Sequence, residues 1–228
     1  MELTDALITT PATRTFTDRR VDDATVASIL DDARFAPSGG NRQGWRVVVI
    51  KDPAQRRALR DLYLPGWYDY LAMTTQGLTP FASTNDAAAE EAAVASAADF
   101  AALGASAPGF AERLDEVPVL LLVLADLTCL ATVDRDLDRI GIAGGASIYP
   151  FVWSILLGAR SRGLGGVITT MAVRAEAQIL ELVAAPPDTA VAALVALGEP
   201  ATQVTRLRRA EVSSFTTVDR MDGAPFRG

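Results

Sequence analysis

Four stretches of this 228-residue chain combine residue types and spacings that could do chemistry. Arg14 stands in TRTFTDRRV, just ahead of a helix start. The loop PSGGNRQGW over 37–45 offers Pro37, the Ser38 hydroxyl, and Gly39 and Gly40, which let backbone N–H groups approach a ligand closely. Asn41 and Gln43 add amide groups to the same loop. In GLGGVITT over 163–170, a strand ending in Ile168, Thr169 and Thr170 can aim hydroxyls and amides into a cleft. In TRLRRAEV, Arg206 and Arg208 alternate, so in an extended segment both forks project to one side and form an anion site. Each stretch also has a plain structural explanation. They are, in turn, a surface arginine, a helix-to-strand turn, a β-branched strand and a solvated charged face.

Composition narrows the chemistry. There is no histidine, which removes Ser-His-Asp and Cys-His catalysis and imidazole metal sites. The single cysteine, Cys129, excludes an intrachain disulfide and a cysteine zinc site. An enzyme with this inventory would leave the difficult chemistry to a cofactor. Net charge of −7 makes nucleic acid an unsuitable partner. No apolar run is long enough for a membrane span, and the N-terminus lacks the pattern of a signal peptide. The expected setting is the cytoplasm.

The elements that must position these residues are partly legible. Asp22 and Asp23 can cap a helix whose apolar residues Val26, Ile29, Leu30 and Ala33 recur at helical spacing. WRVVVI over 45–50 reads as a strand, and Asp52-Pro53 opens a short basic helix to about Leu62. From 64 to 116 the chain changes character. An aromatic group (Trp67, Tyr68, Tyr70, Phe81) precedes an alanine-rich, helical run, which together read as an excursion from the main sheet. VPVLLLVLA over 117–125 is a strand covered on both faces. A helical region over 140–162 is broken or kinked at Pro150 and ended by Gly163 and Gly165. A strand at 167–170, a helix at 175–183 and a last core strand at 191–197 follow; the tail from 201 lies on a surface. GIAGGAS over 141–147 lacks the strand and spacing of a dinucleotide fingerprint. Without a regular βαβ period, the expected class is α+β in one domain over 1–228.

Taken in order, Arg14, then APSGGNRQGWRVVV, SIYPFVWSILLGARSRGLGGVITT, LGEP and the late arginine pair resemble the nitroreductase family. The resemblance spans the chain except 64–116. It implies a central mixed sheet wrapped by helices and an intertwined homodimer with FMN at the subunit interface. It also implies hydride transfer from NADH or NADPH through flavin N5, in a ping-pong cycle, to a small acceptor such as a nitroaromatic or quinone. By position it places Arg14 at the N1/O2 edge of the flavin and Pro37, Ser38 and Gly39 against the ribityl and phosphate region. Asn41 and Gln43 then support the loop or ring, Ile168, Thr169 and Thr170 flank the ring, and Arg206 and Arg208 hold the phosphate. No protein side chain need be catalytic, and no metal is implied. The aromatics Trp67, Tyr68 and Tyr70 suit a lid over the acceptor, or else inward packing.

Three departures stand out: Thr10-Pro11-Ala12 where relatives often carry a further arginine, Gly44 in place of proline, and Trp153-Ser154 in place of Gln-Asn. Three alternatives stay open at this point. One is a flavin enzyme of the same fold doing dehalogenation, enone reduction or a biosynthetic oxidation. Another is a flavin-storing or flavin-sensing protein without turnover, and a third is a nucleotide-binding α/β protein without flavin.

Overall fold

A computed structural model describes residues 1–227. After α1 (Leu3–Thr9), the chain forms α2 (Asp23–Ala33), whose start is fixed by Asp22 accepting a hydrogen bond from the Thr25 N–H. β1 (Trp45–Val49) leads into α3 (Pro53–Thr75), capped by Asp52 on the Gln55 N–H with proline in its first turn. Then come α4 (Ala87–Val94), α5 (Ala97–Ser106), β2 (Val119–Asp126), α6 (Tyr149–Ser161), β3 (Gly165–Thr169), α7 (Glu176–Leu182) and β4 (Thr189–Gly198).

The strands form one sheet in the order β1-β2-β4-β3. Side chains of β2 alternate between two cores, which explains why its sequence is apolar at every position. Leu121, Val123 and Ala125 face Val26 and Ile29 of α2 and Val152 and Ile155 of α6. Leu120, Leu122 and Leu124 face Leu59 and Tyr63 of α3 and Ile179 of α7. The architecture is thus the expected α+β class, a sheet between two helical layers.

Four expectations need correction. The sheet is not mixed in its named pairings: β1–β2, β2–β4 and β3–β4 are all antiparallel, and a parallel contact enters only as the bridge between Ala12 and Gly166. The helix expected to stop near Leu62 runs on through Pro65 to Thr75. Burial of Leu59, Tyr63, Gly66 and Met73 along one face outweighs the local cost of an interior proline. Gly66 is needed there because a Cβ would sit 3.0 Å from Cβ of Arg174. The stretch from 64 therefore begins inside α3, and its alanine-rich part is divided into α4 and α5 at Ala95 and Ser96.

The long helix expected from 140 starts only at Tyr149, with Pro150 in its first turn rather than at a kink. Before it, residues 134–142 are a loop organised by Asp134. Finally, β3 begins two residues earlier than expected, at Gly165, which is not a helix terminator. A Cβ there would lie 2.7 Å from Oγ1 of Thr13, so the glycine admits the chain segment carrying Arg14 against the sheet.

Candidate functional site

The PSGGN loop is held in shape from within. The Gln43 N–H donates to Oγ of Ser38 at 3.0 Å, and Gln43 Nε2 donates to Oδ1 of Asn41 at 3.2 Å. Asn41 and Gln43 thus bond to groups of their own loop. Gly40, Asn41 and Gln43 have φ of 61°, 53° and 51°. The left-handed region costs a non-glycine residue such as Gln43 about 1–2 kcal/mol, a strain concentrated at the loop expected to bind. Gly39 donates its N–H to Oγ of Ser147 at 3.0 Å, which seats the loop on the turn before α6. Pro37, Gly39, Asn41 and Gln43 are exposed and Ser38 is half-buried. Trp45, directly after the loop, stacks on Phe151 of α6 with ring centroids 4.7 Å apart. Gly44 is buried; a Cβ there would meet Cβ of Cys129 at 2.9 Å, which accounts for glycine at that position.

The second group gathers at the β3 edge. The Thr13 N–H donates to the Gly166 carbonyl at 2.8 Å, bringing the exposed Arg14 beside the sheet. Thr169 hydrogen-bonds the hydroxyl of Tyr63 at 3.0 Å, Ile168 packs into the α2/α6 core, and Thr170 is exposed. Tyr63 was not singled out from the sequence. Its only signal is its place on the buried stripe Leu59, Tyr63, Gly66 at helical spacing, where it reads as core. Burial pushes its hydroxyl pKa up, against the smaller opposing effects of Thr169 and of nearby Arg14.

The tail reaches the same region. The Leu207 N–H donates to the Ile8 carbonyl at 2.7 Å, and Gln203 Nε2 donates to the Thr9 carbonyl at 2.9 Å. Leu207 is half-buried while Arg206 and Arg208 are exposed, so the alternation read from the sequence holds. Among the described residues, the guanidiniums of Arg14, Arg206 and Arg208 have neither an ion-pair partner nor a hydrogen-bond acceptor. Each of these guanidiniums is free to donate to an anionic group.

The two groups do not converge within one chain. The PSGGN loop precedes Trp45, which pairs with Ala125 at one end of the β1–β2 ladder. Arg14 shares a cleft with Val49, Ile50 and Val119 at the other end. Those two ends of β1, five residues long, are about 15 Å apart.

The aromatic trio divides. Trp67 is half-buried against the α3/α7 core and stacks on Tyr70 with centroids 5.4 Å apart. Tyr68 points toward α5, where its hydroxyl lies beside Gly104 and the Glu112 carboxylate. Burial first and then that carboxylate push its pKa up.

This chain belongs to the nitroreductase family, whose model matches residues 11–199. The fold is similar to that of a BluB-like flavoprotein from Clostridium difficile 630, with TM-score 0.68 at 20% identity over 96% of this chain and all of that one. It is also similar to an NADPH:FMN oxidoreductase from Vibrio harveyi solved with NAD+, with TM-score 0.64 at 18% identity over 96% and 78% of the two chains. A stretch of 41 residues is 49% identical to an NADH dehydrogenase of Thermus thermophilus, spanning 18% of this chain and 20% of that relative. Among the described residues no helix is long and apolar enough to cross a membrane, and no group of metal-ligating side chains occurs.

Proposed function

We propose that this protein is an FMN-dependent oxidoreductase that takes reducing equivalents from NADH or NADPH and delivers them to a small conjugated acceptor, working as a homodimer. The observation that carries the reading is the separation of the two site halves by the length of β1. Arg14, Thr169 and the tail arginines form one half, and the Ser38–Gly39 loop forms the other. A second copy of the chain, placing its loop over the first copy's Arg14 and Thr169, would complete the site.

Exposed apolar residues support that arrangement. Ile140 and Ile142 are 68% and 74% exposed and, with the exposed Tyr149 and Trp153, flank in sequence the Ser147 that anchors the loop. Phe215, Met221 and Phe226 are exposed along the tail. Large apolar surface of this kind suits burial between subunits.

FMN, when bound, supplies the two-electron relay between the nucleotide and the acceptor. The protein's part is binding and electrostatics. Arg206 and Arg208 would neutralise the phosphate, and Arg14 would face the ring edge that gains negative charge. The Ser38 hydroxyl and Gly39 would border the ribityl chain, and the Thr169 hydroxyl, bonded to Tyr63, would border the ring. With no histidine in the chain, protons come from water.

The test is direct. The purified protein, supplied with FMN, should hold one flavin per subunit, sediment as a dimer, and lose its flavin absorbance when NADH or NADPH is added without oxygen. Flavin that binds but is never bleached by either nucleotide overturns the enzyme reading. A stable monomer carrying FMN overturns the two-chain site.

A further inference from the structure

A cleft lined by residues 14–21, the first of the four stretches marked by sequence, lies apart from the other three. Its volume is about 930 Å³, and it runs between residues 14–21, the first turns of α3 and residues 113–120. Seven of its lining residues are lysine or arginine and four are aspartate or glutamate, in a chain whose net charge is −7. The excess of positive charge in an acidic protein is local to this cleft.

The cations divide by what they already hold. Arg56 donates to the main-chain carbonyls of Ile50, Asp115 and Val117, which ties the start of α3 to the strand ends and fixes the groove's shape. Arg19 pairs with Glu199, and Lys51 pairs with Asp23. Among the described residues the guanidiniums of Arg20, Arg57 and Arg113 have no acceptor. They come from three separate segments that meet at one cleft. The half-buried rings of Phe16 and Phe110 contribute apolar lining between them.

We infer that this groove is a nucleotide site, distinct from the phosphate cations of the tail, and that it takes a nucleotide bearing two or more phosphate charges. Arg20, Arg57 and Arg113 meet the phosphates, and Phe16 and Phe110 meet the base. The volume falls in the range of small-molecule and cofactor sites, and a bare pyrophosphate would leave most of it and its apolar walls unused. Guanidiniums are well matched to phosphate oxygens and gain most where the neighbouring wall is apolar. Two sources share this chemistry: a free nucleoside diphosphate, and the adenosine end of a phosphorylated dinucleotide. The inference does not rest on flavin binding: of the residues assigned to the flavin only Arg14 borders this cleft, and Arg20, Arg57, Arg113, Phe16 and Phe110 belong to none of that site.

The experiment is calorimetric titration of the full chain, saturated with FMN, with ADP, 2′,5′-ADP, adenosine and pyrophosphate at low salt. ADP or 2′,5′-ADP should bind saturably at one site per chain, and adenosine should not. The tighter of the two names the source, ADP for a free nucleotide and 2′,5′-ADP for the dinucleotide end. Arg57→Glu and Arg20→Glu should each weaken binding by about tenfold or more, leaving FMN content and thermal unfolding at parent values. Arg57→Lys should retain part of the affinity.

No saturable binding of either nucleotide would overturn the inference. Equal binding by the charge-reversal variants would overturn it too, as would pyrophosphate binding as tightly as ADP. The same titration without FMN should give the same affinities, so failure of the flavin reading leaves this result standing on its own.

Discussion

The hydroxyl of Tyr63 lies 3.0 Å from Oγ1 of Thr169, joining the middle of α3 to the last residue of β3. Tyr63 is 2% exposed, so this contact is made in the core and cannot be replaced by water without reorganisation. Tyr63→Phe keeps the ring and removes the bond. It should cost about 0.5–1.5 kcal/mol, read by urea denaturation, and leave the Thr169 hydroxyl free to rotate. A variant as stable as the parent, with an unchanged flavin spectrum, would show that the pair positions nothing.

Gly39 separates binding from folding. A Cβ at Gly39 would meet Oγ of Ser147 at 3.5 Å, an ordinary contact, so nothing inside the chain requires glycine there. Gly39→Ala should unfold within about 0.5 kcal/mol of the parent yet bind FMN roughly tenfold more weakly, because the added methyl stands where a ligand or partner approaches. Unchanged FMN affinity in fluorescence titration would remove Gly39 from the site.

Arg208 is exposed and makes no side-chain bond among the described residues, so its loss should leave the fold intact. Charge-assisted hydrogen bonds contribute about 1.5–3 kcal/mol, so Arg208→Ala should weaken FMN by roughly ten- to a hundredfold. Riboflavin, which lacks the phosphate, should bind parent and variant alike. A variant that retained FMN as tightly as the parent would place the phosphate elsewhere.

What could be read from the sequence follows from which forces are local. The α2 cap at Asp22, the doubly covered β2 and the alternation of Arg206 and Arg208 about Leu207 depend on short-range pattern, and all three hold in the structure. The continuation of α3 through Pro65 does not, since it depends on packing against residues 171–175 that are distant in sequence. The same holds for Gly165, whose reason is Thr13, and for Tyr63, whose partner is 106 residues away. Candidate site residues stand out in the sequence where a loop or a charge pattern marks them. The groove beside Arg20, Arg57 and Arg113 was not, because three separate segments contribute its cations.

Asp134 offers a pH test. Its carboxylate is 3% exposed, screened by its own loop, and accepts N–H bonds from Ile142 at 2.6 Å and Ala143 at 3.0 Å and a bond from Arg139 at 2.9 Å. The two backbone bonds first, and then Arg139, bring its pKa down from 3.8 to about 2. A lowered folded-state pKa adds stability that is present above the unfolded value and is lost as pH falls through the folded one. The advantage of the parent over Asp134→Asn should therefore be constant at neutral pH and shrink between about pH 4 and pH 2. Denaturation curves at pH 7, 4 and 2 measure it, and a pH-independent difference would show that the charge does not hold this loop.

The aromatic residues of α3 allow the lid proposal to be tested against simple packing. Trp67 is half-buried against the α3/α7 core and stacked on Tyr70, so Trp67→Ala removes core contact and should cost up to about 3 kcal/mol. It is therefore a poor probe of acceptor choice. Tyr70 lies on the outer side of that stack and does not belong to the buried core, so Tyr70→Ala should leave most of the stability in place. If this part of α3 covers the acceptor, Tyr70→Ala should change kcat/KM for a nitroaromatic or quinone several-fold, the scale of a lost aromatic contact of about 0.5–1.5 kcal/mol. The rate at which NAD(P)H bleaches the flavin should change less, because a cover that selects acceptors acts on the second half-reaction. Stopped-flow measurement of both half-reactions, with several acceptors of different width, separates the cases. Parent rates in both would leave the stacked pair as packing on α3 and place acceptor choice elsewhere.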